Sequence, residues 1–550
     1  MSWQMNLSLV ISRWSLVGKN KNLILCIFSG LLLALPFSFP TFWIFAWVGF
    51  VPLFFARQGK SKTKAFLLAY LTGIIFWWGT IYWLVHVTFL GTSVLILYLA
   101  LYFGIFGLFV STSDQRLTTN NCLFLPCVWV ILEYTRSHLL TGFPWALLGY
   151  SQQMNLPIIQ ISDITGAWGV SFVIMMINCA VYLVVSPCPP CVPSGRRGWS
   201  LVVSYPLSEK IKTYIAAILI LLLTLGYGFF KLYHRPSTND QRLLKVSVIQ
   251  ANIPQELKWE ESARGFIIKK YLGLTAIAAG ATPRRIGSAG VTPSASKPDL
   301  LIWPEAAVPV VLEEEPDYYN AVVNNVRQAK TPLLFGAVTA RKGLYYNSAC
   351  LLSAEGALLQ RYDKVHLVPF GEYIPLKKVF PFLETIVPIG DITPGKKYKV
   401  FEIASSPSAP RNDAKFSVLI CFEDLFPELS RRFVADGAQF LVNITNDAWY
   451  KKTSAAAQHF QASVFRAVEN RVYLVRAANT GISGFIAPSG KVVSLVREPS
   501  GNTIFIDGIS TQIIPLEKHE QTFYGKKGDF FISLLLFFVI YSMLIKYKHV

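Results

Sequence analysis

Long apolar runs separated by short basic interruptions fill the chain to about residue 230, after which the pattern changes. Runs that approach the roughly 20 residues of a bilayer-crossing helix lie at 23–39, 41–56, 65–90, 92–112, 118–134, 167–186 and 213–230, and an eighth lies at 528–545. The fifth is the weakest, because its uninterrupted part ends at Leu132 before Glu133. Orientation tests it. With the N-terminus and its Arg13, Lys19 and Lys21 in the cytoplasm, the even-numbered crossings bring Arg57, Lys60, Lys62 and Lys64 to the same side. They do the same for Arg116, for Arg196, Arg197, Lys210 and Lys212, and for Lys546 and Lys548. Among Lys and Arg, the short outer loops carry only Arg136. The positive-inside rule therefore predicts eight spans with both termini cytoplasmic, whereas dropping the fifth would turn the 196–212 cluster outward. The first run is followed at once by a second, with no clear small-residue cleavage site, and reads as a retained signal anchor.

Between the last two spans, short β-branched runs recur between turn signals. They predict strands at 244–250, 300–303, 333–339, 348–353, 416–421, 440–444, 473–477, 484–487 and 503–507, with helices at 317–329, 428–436 and 455–471. Alternation of this kind is an α/β signature. The stretch 275–298, rich in Ala, Gly, Ser, Thr and Pro, has neither periodicity nor an apolar face and reads as a disordered surface insertion. The expected organisation is a seven-helix membrane domain at 1–230, an extracytoplasmic α/β domain at 231–527 whose working face can lie against lipid, and an eighth helix with a cytoplasmic tail at 528–550.

Composition sharpens this reading. With 53% apolar and only 15% charged residues, the mean hydropathy of +0.42 is too high for a soluble chain of this length. The net charge of +19 suits basic cytoplasmic loops better than a nucleic-acid partner, so none is expected. Eight cysteines are too few and scattered for a disulfide framework, and Cys26, Cys122 and Cys179 sit in apolar runs as small hydrophobes. Cys188-Pro189-Pro190-Cys191, in the Pro/Ser-rich linker 187–212, lacks a second pair and reads as a plain loop. No P-loop, HExxH or clustered His is present, so neither a metal nor another cofactor is expected.

Three segments carry candidate chemistry: Trp303-Pro304-Glu305, Tyr362-Asp363-Lys364-Val365-His366 and Ile420-Cys421-Phe422-Glu423. Singly each has a bland reading, as a solvated strand end, a surface lysine and a core cysteine. Together they supply a base, a cation and a nucleophile, the first and third at strand ends where open α/β sheets place their sites. A free thiol is only a few per cent thiolate at neutral pH. A neighbouring ammonium would favour the thiolate and stabilise a developing oxyanion, while a carboxylate takes and returns the proton.

These segments resemble the Glu-Lys-Cys signatures of the nitrilase (carbon–nitrogen hydrolase) superfamily, and the membrane frame narrows the resemblance to the apolipoprotein N-acyltransferases. The residues that carry it are Leu301 to Glu305, Tyr362 to Pro375 and Cys421-Phe422-Glu423. Gln250 to Gln255 with Lys258-Trp259, Asn443 to Trp449, Arg476 to Gly481, Leu140 to Trp145 and Gly149 to Gln152 support it. The resemblance implies a nitrilase-like αββα sandwich and transfer of an acyl chain from a phospholipid to the α-amino group of the diacylglyceryl-modified N-terminal cysteine of an apolipoprotein, at the bacterial inner membrane. It assigns Glu305 as general base and acid, Lys364 as stabiliser of the tetrahedral intermediate and Cys421 as the thioester-forming nucleophile. Glu372 and Glu423 are assigned supporting roles, and Trp259 and Trp449 lipid or substrate contacts. Position 422 is Phe where the family commonly has Tyr, which leaves the backbone N–H of Phe422 as the oxyanion donor there. The architecture agrees: both substrates are anchored in the bilayer, so a membrane-facing thiol meets them by lateral diffusion. Two rival readings are a tethered amidase using the same three residues, and a transporter built on His86, Glu133 and Asp163.

Overall fold

The computed structural model describes residues 20–110, 119–186, 207–234, 242–280, 297–374, 392–403, 414–516 and 520–548. The Cys188–Cys191 linker and positions 281–296 of the expected insertion lie outside them. The chain divides into two compact units: Met1–Met154 with Trp168–Leu225 and Phe531–Val550, and Asn155–Ala167 with Gly226–Phe530.

The first unit is helical. Among the described residues, six helical segments are long and apolar enough to cross a membrane: Lys21–Ser38, Pro40–Arg57, Lys62–His86, Phe89–Val110, Ala167–Val185 and Ile211–Tyr233. The fifth expected crossing is also a helix, Thr119–His138, but it is not in that group. Its polar end is tied down, with the Leu148 N–H donating to Glu133 Oε1 at 2.7 Å and the Arg136 guanidinium to the carbonyl of Trp145 at 2.9 Å. The eighth is a helix over Phe530–Lys548, whose described apolar part, Phe530–Ile545, is shorter than the others.

Instead of one continuous helix, the second span is a 3-10 turn, Pro40–Trp47, followed by a short α-helix, Val51–Arg57. A break in lipid must satisfy its own backbone, and Asn178 does so here. Its Oδ1 accepts from the Phe50 N–H at 2.9 Å and its Nδ2 donates to the Ala46 carbonyl at 2.8 Å. Small residues allow the helices to approach closely: a Cβ on Gly107 would lie 2.6 Å from the Ala65 carbonyl oxygen.

The second unit holds thirteen described strands in two mixed sheets. The first sheet has the order β13 (Gly508–Leu516), β1 (Arg242–Gln250), β2 (Leu300–Ile302), β4 (Leu333–Arg341), β5 (Leu344–Leu352), β6 (Leu358–Asp363), with β3 (Val308–Val311) pairing β4. The second has the order β12 (Val492–Leu495), β11 (Gly484–Ile486), β10 (Tyr473–Ala478), β9 (Phe440–Thr445), β8 (Ala414–Ile420), β7 (Phe401–Ile403). Parallel strands form the centre of each sheet, and antiparallel strands flank them. Such buried centres suit the near-continuous apolar runs Leu300–Ile302 and Phe440–Val442. The sheets meet face to face through β1 against β10 and β5 against β8. Helices Arg264–Ala278 and Pro316–Ala329 cover the first sheet, burying Ile267, Tyr271, Val322 and Val326 against Leu301, Trp303 and Phe335. Helices Pro427–Ala435 and Ala455–Asn470 pack on the second, so the layers run αββα, the expected fold class.

Three expectations change. Residues 275–278, expected to open the disordered insertion, finish the helix Arg264–Ala278. Thr275 is buried there and its Oγ1 accepts from Trp303 Nε1 at 2.9 Å, a partner 28 positions away. The run 503–507 is not a strand: the Gln250 side chain donates to the carbonyls of Thr503 and Ile506 at 3.2 and 2.9 Å, and the strand begins at Gly508. Asp163, an intramembrane candidate of the transporter reading, lies in the α/β unit, held by Arg471 at 2.8 Å and by the Tyr227 hydroxyl at 2.7 Å.

Candidate active site

Glu305 stands just beyond β2, where Trp303 anchors the strand end by stacking on Tyr271 with centroids 4.8 Å apart. Lys364 stands just beyond β6. Its N–H donates to the Asn347 carbonyl at 2.8 Å and its own carbonyl accepts from the Gly395 N–H at 2.7 Å, so the turn is pinned on both sides. The lysine is 1% exposed, and its Nζ lies 2.8 Å from Glu372 Oε2 and 3.6 Å from Glu305 Oε1. Burial alone would lower its affinity for a proton. Glu372, Glu305 and Cys421 outweigh burial and raise it above the ordinary lysine value, so the ammonium is permanent.

Cys421 follows β8 directly and opens a short 3-10 turn, Cys421–Leu425, with φ of +53°. A sharp strand-to-helix turn pushes a side chain out of the sheet, a geometry suited to a nucleophile. The Lys364 ammonium favours the thiolate, as expected from the sequence, but it is outweighed. Burial pushes the thiol well up, Glu305 and Asp447 push it further, and Lys364 only partly offsets them. The resting sulfur is therefore a thiol, and its proton must leave as it attacks.

Glu423 joins the two sheets. Its Oε2 accepts from the Ile420 N–H at 2.7 Å, while Oε1 accepts from the Tyr362 hydroxyl at 2.8 Å and from the N–H groups of Val365 and His366 at 2.8 and 3.1 Å. One carboxylate thus fixes the Cys421 turn relative to the Lys364 turn. Burial pushes its carboxyl up to about 7 against the pull of these donors and Lys364. Glu372 is tied by the Val368 N–H at 2.8 Å. The ring of Phe422 packs edge-on against Phe426, with centroids 5.2 Å apart. Trp259 and Trp449 are about half exposed, at 47% and 49%, each on a loop that carries a buried charged neighbour, Lys258 or Asp447.

Several groups in this region were not singled out in the sequence. Asn347 Nδ2 donates to Glu305 Oε1 at 2.8 Å and to Glu372 Oε1 at 2.7 Å, bridging the two carboxylates. Lys258 is buried and donates to the Glu305 carbonyl at 3.0 Å. Burial lowers its pKa to about 8, against the pull of Glu305 and Cys421. Beneath Cys421 lies a buried cluster of His459, Asp424, Asp447, Arg476 and Asn443. The signals for these were polarity inside apolar strands and the quoted stretches Lys258-Trp259, Asn443 to Trp449 and Arg476 to Gly481.

Residues 29–180 match the apolipoprotein N-acyltransferase N-terminal domain family, and residues 245–517 match the carbon-nitrogen hydrolase family. An apolipoprotein N-acyltransferase of Geobacter metallireducens is 37% identical over 93% of this chain and 92% of its own length. One from Rickettsia typhi is 30% identical over 94% and 97%. An amidase of Nesterenkonia sp. superposes with a TM-score of 0.36, at 18% identity over 53% of this chain and 95% of its own.

Proposed function

Since the chain belongs to the apolipoprotein N-acyltransferase family, we propose that it moves an acyl chain from a membrane phospholipid, through a thioester on Cys421, to the α-amino group of the diacylglyceryl-modified N-terminal cysteine of an apolipoprotein. It is a membrane acyltransferase of the inner membrane; donor, intermediate and orientation are the proposal.

In the first half-reaction Glu305 takes the Cys421 proton as sulfur attacks the ester carbonyl. Negative charge gathers on the carbonyl oxygen, where the Lys364 ammonium and the Phe422 backbone N–H stabilise it. The ester C–O bond then breaks, and Glu305 returns its proton to the departing glycerol oxygen, releasing a lysophospholipid. In the second, the acceptor amine attacks the thioester, Glu305 takes a proton from its nitrogen, and the C–S bond breaks to restore the thiol. A thioester waits for its second substrate, so the kinetics are ping-pong. Glu372 and Asn347 hold Glu305 and Lys364 in register, Glu423 holds the Cys421 turn, and the half-exposed rings of Trp259 and Trp449 contact lipid. No metal or other cofactor enters these steps. The observation that carries the reading is the meeting of Glu305, Lys364 and Glu372 in one buried cluster, with Cys421 in their electrostatic reach. A protonated thiol needs a base, and the neighbouring carboxylate supplies one.

Intact-protein mass spectrometry after incubation with phospholipid tests it. An acyl-mass adduct is expected on the parent and on Cys350→Ala, since Cys350 is packed in the core of the first sheet, and none on Cys421→Ala. Added acceptor peptide should discharge the adduct to the peptide. Adduct on Cys421→Ala, or discharge to water alone, would reject the mechanism.

A further inference from the structure

We propose that His459 is a positioning residue for the nucleophile, held as a doubly protonated imidazolium that fixes the Cys421 carbonyl and with it the left-handed backbone that presents the thiol. The proposal rests on Cys421 being the nucleophile. A non-glycine residue at φ of +53° is strained and persists only where its surroundings over-determine it. Two side chains do so here: Asn443 Nδ2 donates to the Cys421 carbonyl at 3.1 Å, and His459 Nε2 lies 3.3 Å from the same oxygen.

The protonation of His459 follows from its neighbours. Nδ1 faces Asp447 Oδ1 at 2.9 Å; Nε2 faces Asp424 Oδ1 at 2.8 Å as well as the Cys421 carbonyl. Each of these partners is an acceptor, so both ring nitrogens carry hydrogen. Arg476 closes the cluster. Its Nη1 donates to Asp424 Oδ2 at 3.0 Å and to Asn443 Oδ1 at 2.7 Å, and its Nη2 donates to Asp447 Oδ2 at 3.2 Å. The bond to Asn443 Oδ1 leaves the amide nitrogen facing Cys421. Two cations and two anions sum to zero, which makes so dry a cluster tolerable. A neutral His459 would set a lone pair against a carboxylate and leave one negative charge uncompensated beside a sulfur that must itself become negative.

The groups facing the ring are Asp424 on the Cys421 turn, Asp447 on the loop after β9 and Arg476 on β10. Burial and Arg476 lower the imidazolium's pKa, but Asp424 and Asp447 outweigh them and raise it to about 9. The sign follows: with the folded value above the ordinary one, the contribution is full below about pH 6.5 and disappears as pH rises through about 9.

The test uses the full-length protein in phospholipid vesicles, with acyl-enzyme formation followed by quenched mass spectrometry across neutral to alkaline pH. His459→Gln should lower the maximal acylation rate by about tenfold to a hundredfold, leave the half-saturating phospholipid concentration unchanged and lose the alkaline fall near 9. Parental rates with the parental profile would overturn the proposal while leaving Cys421 as nucleophile; no adduct in the parent would remove both. Should the variant fail to fold, nitrogen-15 NMR of the histidine-labelled parent decides. A doubly protonated ring at about pH 8, where ordinary histidines are neutral, is expected, and a spectrum of neutral rings alone would overturn the proposal.

Discussion

Asn347 illustrates what one residue can hide from the sequence. It lies in β5, among Tyr346, Ser348 and Ala349, and nothing near it in the chain predicts a role. Its meaning comes from partners 42 and 25 positions away, Glu305 and Glu372. The Glu, Lys and Cys were legible because each falls in a distinctive motif at the end of a run. Asn347 and His459 were not, because an isolated polar residue in a strand or helix carries no local signature of a long-range bond. Asn347→Ala should retain the fold and lower acyl-enzyme formation by at least roughly tenfold, since Glu305 would lose the donor that orients it. Stopped acylation time courses in membranes, with expression matched to the parent, measure this, and an unchanged rate would make the bridge incidental.

Among elements, the central strands were readable in place and type, because buried parallel strands are written as β-branched runs. What escaped was pairing by side chains, very short segments, and the antiparallel flanking strands β6 and β13. Residues 503–507 look like a strand and are instead a loop satisfied by Gln250. β7, with only Phe401–Ile403, is too short to show a period. One strand has a demand that its sequence discloses only in context. At Gly336 in β4, a Cβ would lie 2.6 Å from the Ala306 nitrogen and Glu305 Cα, and 2.7 Å from the Pro304 oxygen, all backbone atoms that cannot turn aside. Gly336→Ala should therefore displace the Glu305 turn, costing about 1–3 kcal/mol of stability and roughly a hundredfold in acylation. Thermal unfolding and acylation measured on the same preparation separate the two, and parental acylation would show that the turn tolerates the shift.

At the scale of the whole molecule, the basic residues predict orientation. A cytoplasm-only fluorescent fusion at Val550 should shine and one inserted near Ser288 should stay dark; the reverse pattern would invert the proposed topology. The chain also returns to its α/β unit from an unexpected place. Asn155–Ala167, which lies between two membrane-crossing candidates, belongs to that unit, and Arg471 holds it through Asp163, Gln160 Oε1 and the Gln160 carbonyl. Arg471→Met leaves Asp163 with Tyr227 and Lys231 alone. It should lower stability by about 1 kcal/mol, as for a part-exposed ion pair whose anion keeps other partners, in a thermal melt; an unchanged midpoint would make the contact decorative. Finally, Glu305 and Lys364 extend from the first sheet and Cys421 from the second. On the proposed reading, the chain is born inside a membrane made of its own acyl donor. With the proposed base, cation and sulfur on different sheets, that reading gives a half-folded chain an ordinary, unassisted thiol and spares the newborn protein acylation until its two layers have closed on each other.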